Sequence, residues 1–176
     1  LDEAKKVADF LEIPFFTFDY RKEYSAKVLD YMYDGYQKGI TPNPDIMCNS
    51  EVKFKVFLDE ALEHGFDYIA MWHYVQIVEE NWIFFLKKWV DEEKDQSYFL
   101  AWLNQEQLSK AIFPIWNLKK SEVRKIAAEI GLPNAKRKDS QWICFVWKVD
   151  LTKFLEKKIN PKPWLIVDTS GKILWQ

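Results

Sequence analysis

The sequence predicts an α/β fold: a partial parallel sheet flanked by helices, then the start of a small β-rich unit near the C-terminal end. Three observations carry this. Tyr68-Ile69-Ala70-Met71 is short and mostly apolar, as a strand covered on both faces of a parallel sheet must be. Segments with helical apolar spacing alternate with short apolar runs over residues 1–130. Beyond Pro161 and Pro163 the pattern changes to two short apolar runs around a polar glycine turn, 166–174, which reads as a β-hairpin. The division falls at 148, with 1–148 as one domain and 149–176 as the beginning of a second.

In chain order, 1–11 reads as an amphipathic helix with Ala4, Val7, Ala8 and Leu11 on one face. Pro14–Phe18 reads as a short buried strand, and a helix ahead of the first strand suggests a sheet whose first units precede this chain. Residues 22–38 form a second helix with Val28, Leu29, Met32 and Tyr36 inward and Gly39 as its C-terminal stop. Ser50 caps a third helix with Phe54, Phe57, Leu58, Ala61 and Leu62 as its apolar set, ended by His64-Gly65. His73 stands just past the strand at 68–71, on the edge where open α/β sheets bind ligands. Residues 74–78 and 83–86 form a hairpin, 90–96 a polar loop, and 97–103 a helical stretch. Asn104 and Gln107 make a capping box. Ser121 caps a helix through Ile130 with Val123, Ile126, Ala127 and Ile130 inward, stopped by Gly131 and Pro133. Residues 150–158 form a last small helix.

Composition narrows the function. The chain has 176 residues, 48% apolar and 30% charged, enough for a medium globular core. No apolar run is long enough to span a bilayer, and no signal peptide opens the sequence, so no membrane role is expected. A net charge of −2 excludes a generally basic surface; nucleic-acid contact must use local clusters such as Lys136-Arg137-Lys138. Two cysteines make no disulfide framework and point to a reducing, cytoplasmic compartment.

Those cysteines are the chemical focus. Thr41-Pro42-Asn43-Pro44-Asp45-Ile46-Met47-Cys48-Asn49 reads as a stiff, non-helical loop, because two prolines fix φ and remove two donors. Cys48 ends it just ahead of a helix N-terminus, whose partial positive charge favours thiolate. Cys144 lies in a second polar-to-apolar junction, and the two are read as one site. Asp45, three residues before Cys48, is a candidate general base. By residue type alone the bland readings compete. Isolated cysteines are commonly buried and structural, His73 reads as a satisfied strand-end histidine, and Lys94-Asp95-Gln96 as an ordinary solvated loop.

Five segments carry a resemblance that reverses those readings. They are 41–49, Tyr-Ile-Ala-Met-Trp-His-Tyr at 68–74, Lys-Asp-Gln-Ser-Tyr-Phe-Leu at 94–100, Leu-Asn-Gln-Glu-Gln-Leu at 103–108 and Lys-Asp-Ser-Gln-Trp-Ile-Cys-Phe at 138–145. In order and spacing they resemble the bacterial tRNA-specific 2-thiouridylases, the tRNA-uridine 2-sulfurtransferases of the PP-loop ATPase superfamily. The resemblance implies a PP-loop domain of the adenine nucleotide alpha hydrolase-like kind, a small central domain and a C-terminal barrel. It implies ATP-dependent adenylation of the wobble uridine of tRNAs for Lys, Glu and Gln, with Mg-bound ATP, and sulfur transfer from a cysteine persulfide. On these terms Cys48 is catalytic and Cys144 carries the persulfide. Asn43, Pro44 and Asp45 contact the target base. Lys94, Asp95, Gln96 and His73 contact tRNA, and Trp72 stands at the family's glycine position against ATP. The partners implied are tRNA and a sulfur-relay protein or cysteine desulfurase. No metal site of the protein's own is implied. The family's Ser-Gly-Gly-Val-Asp-Ser phosphate loop and its barrel are not in this sequence, so the chain reads as a fragment, inactive in isolation.

Nine tryptophans and five glycines make fourteen, near the roughly twelve glycines of average usage. Trp72 and Trp142 stand where the family pattern has glycine, and Trp82 follows Asn81 where Asn-Gly is the strong hairpin signal. The pattern is that of a genetic code in which UGA means glycine, rendered as tryptophan.

Overall fold

The computed structural model describes residues 1–137, 150–160 and 165–175. Its centre is one helical run, α3 (44–63), buried on two sides. Cys48 and Val52 pack against Tyr24 and Val28 of α2 (21–37). Phe54, Leu58 and Ala61 pack against Ile69, Met71, Val75, Leu100, Ala111 and Phe113. Both helices contain wide-turn stretches, Ser25–Leu29 in α2 and Asn49–Val56 in α3, with i→i+5 hydrogen bonding. Such stretches are rare and cluster at functional sites.

The sheet that α3 covers is small. β1 (Ile69–Ala70) pairs in parallel with β4 (Ala111–Ile112). Between them lie the antiparallel hairpin β2 (Gln76–Glu80) and β3 (Ile83–Lys87), and two 3-10 turns, Glu92–Lys94 and Ser97–Leu100. α4 (Gln105–Ser109) opens on the expected capping box: Asn104 accepts from the Gln107 backbone, and Gln107 accepts from the Asn104 backbone. Around this core stand α1 (Asp2–Phe10), α5 (Lys120–Glu129) and α6 (Leu151–Leu155). Phe154 of α6 stacks on Tyr33 of α2 at 5.8 Å. The hairpin β5 (Ile166–Val167) and β6 (Ile173–Trp175) follows, turned by Asp168–Lys172.

Two glycines shape the approach to α3. Gly39, at φ 75°, ends α2 in the left-handed region, and Ile40 N–H then closes back on Gly35 C=O at 2.9 Å. Gly35 is buried beneath Pro42: a Cβ there would lie 2.9 Å from Pro42 Cγ, so only glycine lets the 40–43 segment lie on α2.

Several expectations are corrected. Pro14–Phe18 joins no strand among the described residues, and Phe16 is 71% exposed; an apolar run without a hydrogen-bonding neighbour forms no strand. The 41–49 segment is not wholly non-helical, because α3 begins at Pro44 with Asn43 as N-cap; proline at the first helical position loses no hydrogen bond. Ser50 is therefore inside the helix and caps nothing. Of residues 97–103, only Ser97–Leu100 are helical, as a 3-10 turn rather than an α-helix. The inward stripe expected of α5 is not buried, with Ile126 and Ile130 about half exposed, and α1 buries only Ala8. Ser121 does not cap α5, which starts after Lys119. β4 is an element that sequence periodicity did not signal.

The β2–β3 turn is two residues, Asn81-Trp82, with φ 53° and 66°. Positive φ at both positions is the type I′ geometry that favours Asn-Gly. Trp82, 88% exposed, gains no burial to offset that strain. Trp82→Gly is expected to stabilise the fold by about 1 kcal/mol, raising Tm by roughly 2–4 °C in a thermal melt followed by circular dichroism. Trp89 differs: it is buried, stacks on Tyr74 at 4.1 Å and donates through Nε1 to Ile115 C=O.

Candidate active site

The start of α3 sets the site. Asn43 Oδ1 accepts from Asp45 N–H (3.0 Å) and Ile46 N–H (3.2 Å), which satisfies two of the helix's first donors. Asn43, Pro44 and half-buried Asp45 thus form the first turn rather than a loop ahead of it. Cys48 comes a full turn into the helix, fully buried against Tyr24, Val28 and Val52. The helix N-terminus therefore gives its thiol little help, since the dipole effect falls off within the first turn.

The residue after Cys48 is the hub. Asn49 Nδ2 donates to Phe99 C=O at 2.9 Å, which fixes its Oδ1 as an acceptor. That oxygen receives Lys53 Nζ at 2.9 Å and His73 Nε2 at 3.2 Å. The imidazole therefore carries its proton on Nε2. Its Nδ1 is buried without a hydrogen-bond partner among the described residues. His73 is only 4% exposed, packed beside Phe54 (5.6 Å) and Phe113 (6.1 Å). Burial, reinforced by the neighbouring Lys53 charge, pushes its pKa from the ordinary 6.5 down to about 3, so the ring is neutral at physiological pH. Trp72 stacks over His73 at 5.5 Å, and Lys53 Nζ sits 5.0 Å from the centre of the same indole.

The other motifs are tied to this hub. Tyr98 Oη lies 3.5 Å from Asn43 Nδ2. Gln107 Nε2 donates to Ser50 C=O in α3 at 2.9 Å. Gln96 clasps Tyr74, its side chain accepting from Tyr74 N–H and its own N–H donating to Tyr74 C=O, both at 3.0 Å. Asp95 accepts from Trp89 N–H at 2.7 Å and from Ser97 Oγ at 2.6 Å. Asp95 and Gln96 thus pin the 88–97 segment to the residues after His73, while Lys94 is exposed. Cys144 and Trp142 lie outside the described residues, as does Lys138. Arg137 pairs with Glu3 of α1.

Sequence reasoning singled out Cys48, Asn43, Asp45 and His73, and the fold gathers them around α3. It assigned no role to Asn49, Lys53 or Tyr98. The i, i+4 spacing puts Asn49 and Lys53 on one helical face, but it carries no sign that the face is buried. Among the described residues no three of His, Cys, Asp and Glu are grouped as a metal would require, and no helix is long and apolar enough to cross a membrane.

A family model described as "tRNA methyl transferase HUP domain" matches residues 1–148. The chain is 51% identical to "tRNA-specific 2-thiouridylase MnmA" of Flavobacterium johnsoniae over 94% of its length and 43% of that protein's. It is 48% identical to the protein of that name from Ligilactobacillus salivarius, over 97% of this chain and 46% of the other. For the Akkermansia muciniphila protein of that name the identity is 45%, over 99% and 49%. The chain thus spans about half the length of the curated relatives it matches.

Proposed function

This chain belongs to the tRNA methyl transferase HUP domain family and resembles its 2-thiouridylases, and from that premise we propose that it is part of a tRNA-uridine 2-sulfurtransferase. The observation that carries the reading is the convergence on α3. Segments 41–49, 68–74, 94–100 and 103–108, far apart in sequence, are hydrogen-bonded around Asn43, Asn49 and Ser50. A set of motifs serving only packing has no need to meet beside a cysteine.

The reaction proposed is ATP-dependent 2-thiolation of the wobble uridine in tRNAs for Lys, Glu and Gln. ATP bound to the complete protein would supply the adenylyl group that makes the C2 oxygen a leaving group. Cys144 brings the sulfur as a persulfide from a sulfur-relay protein or cysteine desulfurase. Its terminal sulfur attacks C2 and AMP departs. The Cys48 thiolate then attacks Cys144 Sγ, closing a disulfide and leaving the sulfur on the base. Asp45, on the first turn of α3 three residues before Cys48, accepts the proton of the thiol or of the base's N3–H. Asn43, Pro44 and Lys94 meet the tRNA; His73, buried beneath Trp72, positions Asn49 instead, and Asp95 and Gln96 shape the loop that presents Lys94.

The nucleotide does not fit the residues as they stand. The Trp72 indole fills the space over Lys53 and His73 where the family has glycine, so no step is assigned through this position. The same observation favours a second reading, a tRNA-binding unit without catalysis.

The test is thiolation of tRNA, followed by sulfur labelling, by protein expressed from the complete reading frame that contains these residues. Cys48→Ser and Cys144→Ser should each abolish ATP-dependent incorporation while tRNA binding persists. Incorporation unaffected by either change would sink the sulfurtransferase reading, and loss with Cys144→Ser alone would remove Cys48 from the mechanism.

A further inference from the structure

Tyr98 is a large ring held still and left bare. It is 62% exposed, in the 3-10 turn Ser97–Leu100. An exposed tyrosine on a loose backbone is ordinary. Here the backbone is fixed on both sides of the residue. Just before it, Ser97 Oγ donates to Asp95 at 2.6 Å. Just after it, Phe99 C=O accepts from Asn49 Nδ2 at 2.9 Å, and Leu100 is anchored in the sheet core. Among the described residues the one ring in contact with Tyr98 is Phe99, 5.5 Å away and inclined at 73°, so no ring is stacked on its face. At its tip, the hydroxyl lies 3.5 Å from Asn43 Nδ2. That is the outer limit of a hydrogen bond, and it fixes the ring's place beside the start of α3 more than it adds energy.

The neighbouring groups narrow what the ring is for. Asn43 Oδ1 is taken by two backbone N–H groups, so the part of its carboxamide that faces Tyr98 is the NH2, a donor. A ligand that meets both groups is flat and aromatic against the ring and carries an acceptor at its edge for Asn43. A pyrimidine base with carbonyl oxygens has both. Lys94, exposed at the start of the same segment, supplies a positive charge for a phosphate backbone. A rigid aromatic face, an edge donor and a nearby cation are together the means by which proteins hold unpaired bases of RNA.

We propose that Tyr98 is the stacking platform for the unpaired uracil base whose edge meets Asn43. The base must be out of its own stack to present a face to a protein ring. Tyr98 then holds it flat beside the first turn of α3, and the Asn43 amide donates to one of its carbonyl oxygens. Stacking accepts any base, so the platform contributes affinity and hold, and the choice of uracil is left to the edge contacts. The proposal rests on the thiolation reading only for which RNA supplies the base.

The test uses protein expressed from the complete reading frame that contains these residues, with an RNA hairpin whose loop carries 5-iodouridine at the first anticodon position. Irradiation joins the halogenated base to an aromatic ring stacked on it, and peptide mass spectrometry locates the adduct. The adduct is expected on Tyr98 in the wild type and is expected to be absent in Tyr98→Leu. Hairpin affinity, read by fluorescence anisotropy, should fall about ten- to hundredfold with Tyr98→Leu and stay within about threefold with Tyr98→Phe, which keeps the face and loses the hydroxyl. The slope of log affinity against log salt should not change, because no charge is removed. If Tyr98→Leu does not fold, the adduct in the wild type and the affinity of Tyr98→Phe decide the matter. No adduct on Tyr98, affinity of Tyr98→Leu within about threefold of wild type, or a loss with Tyr98→Phe of tenfold or more overturns the platform. Sulfur incorporation is measured separately. An adduct on Tyr98 without any thiolation overturns the sulfurtransferase reading and leaves the platform standing, whereas thiolation without the adduct overturns the platform alone.

Discussion

Phe54→Ala should lower the unfolding free energy by about 3–5 kcal/mol, a large part of the 5–15 kcal/mol typical of a domain. Phe54 is fully buried and is the largest side chain with no exposure. Its ring lies 6.0 Å from Phe113, just past β4, and 5.6 Å from His73, so it joins the sheet core to the candidate site. Truncation loses the transfer energy of the ring and leaves a cavity bounded by α3 and the sheet, both held by backbone hydrogen bonds and slow to collapse. Urea denaturation should show a lower midpoint with an unchanged slope, since the surface exposed on unfolding barely changes. Phe54→Leu, which refills part of the volume, should cost clearly less. A loss below about 1 kcal/mol for Phe54→Ala would mean that α3 is not the organising helix described here.

What was legible in the sequence was mostly local. The Asn104–Gln107 capping box, Gly39 and the hairpin at Asn81-Trp82 each depend on neighbours within a few residues, and each stands where the pattern placed it. Pro44 shows how a local rule misleads. Read as a breaker, it pushed the helix start to Ser50. Read together with Asn43 before it and Asp45 after it, it is a first-position proline behind an N-cap. The Pro14–Phe18 run and the apolar stripe of α5 failed for the opposite reason. Their chemistry asks for a covering partner, and a sequence window cannot show whether one is there. Lys53 was beyond reach by periodicity, because helical patterning sorts residues by polarity and places a lysine outside. Only the meeting of α3 with His73 and Trp72 reveals it as buried.

His73 makes the stability of the fold steeply dependent on pH. Burial, and then the Lys53 charge, lowers its pKa from 6.5 to about 3, so the folded chain keeps the ring neutral where the unfolded chain protonates it. The unfolded state binds the extra proton between those values, so stability rises with pH across that window. The contribution is fully present above pH 6.5 and falls by about 1.4 kcal/mol per pH unit as the medium is acidified. Between pH 7 and 4.5 the loss from this group is about 2.5–3 kcal/mol, and over the whole window about 4–5 kcal/mol. Carboxylates also lose stabilising interactions on acidification, so the measurement is a difference. Urea denaturation of wild type and His73→Gln at pH 7, 5.5 and 4.5 should show the gap between them narrowing or reversing as pH falls, because glutamine has no proton to refuse. Parallel curves would show that the His73 environment admits the proton, and with it water. Steeper loss in wild type would confirm that the folded chain keeps His73 neutral, its Nδ1 shut away from water beneath Trp72.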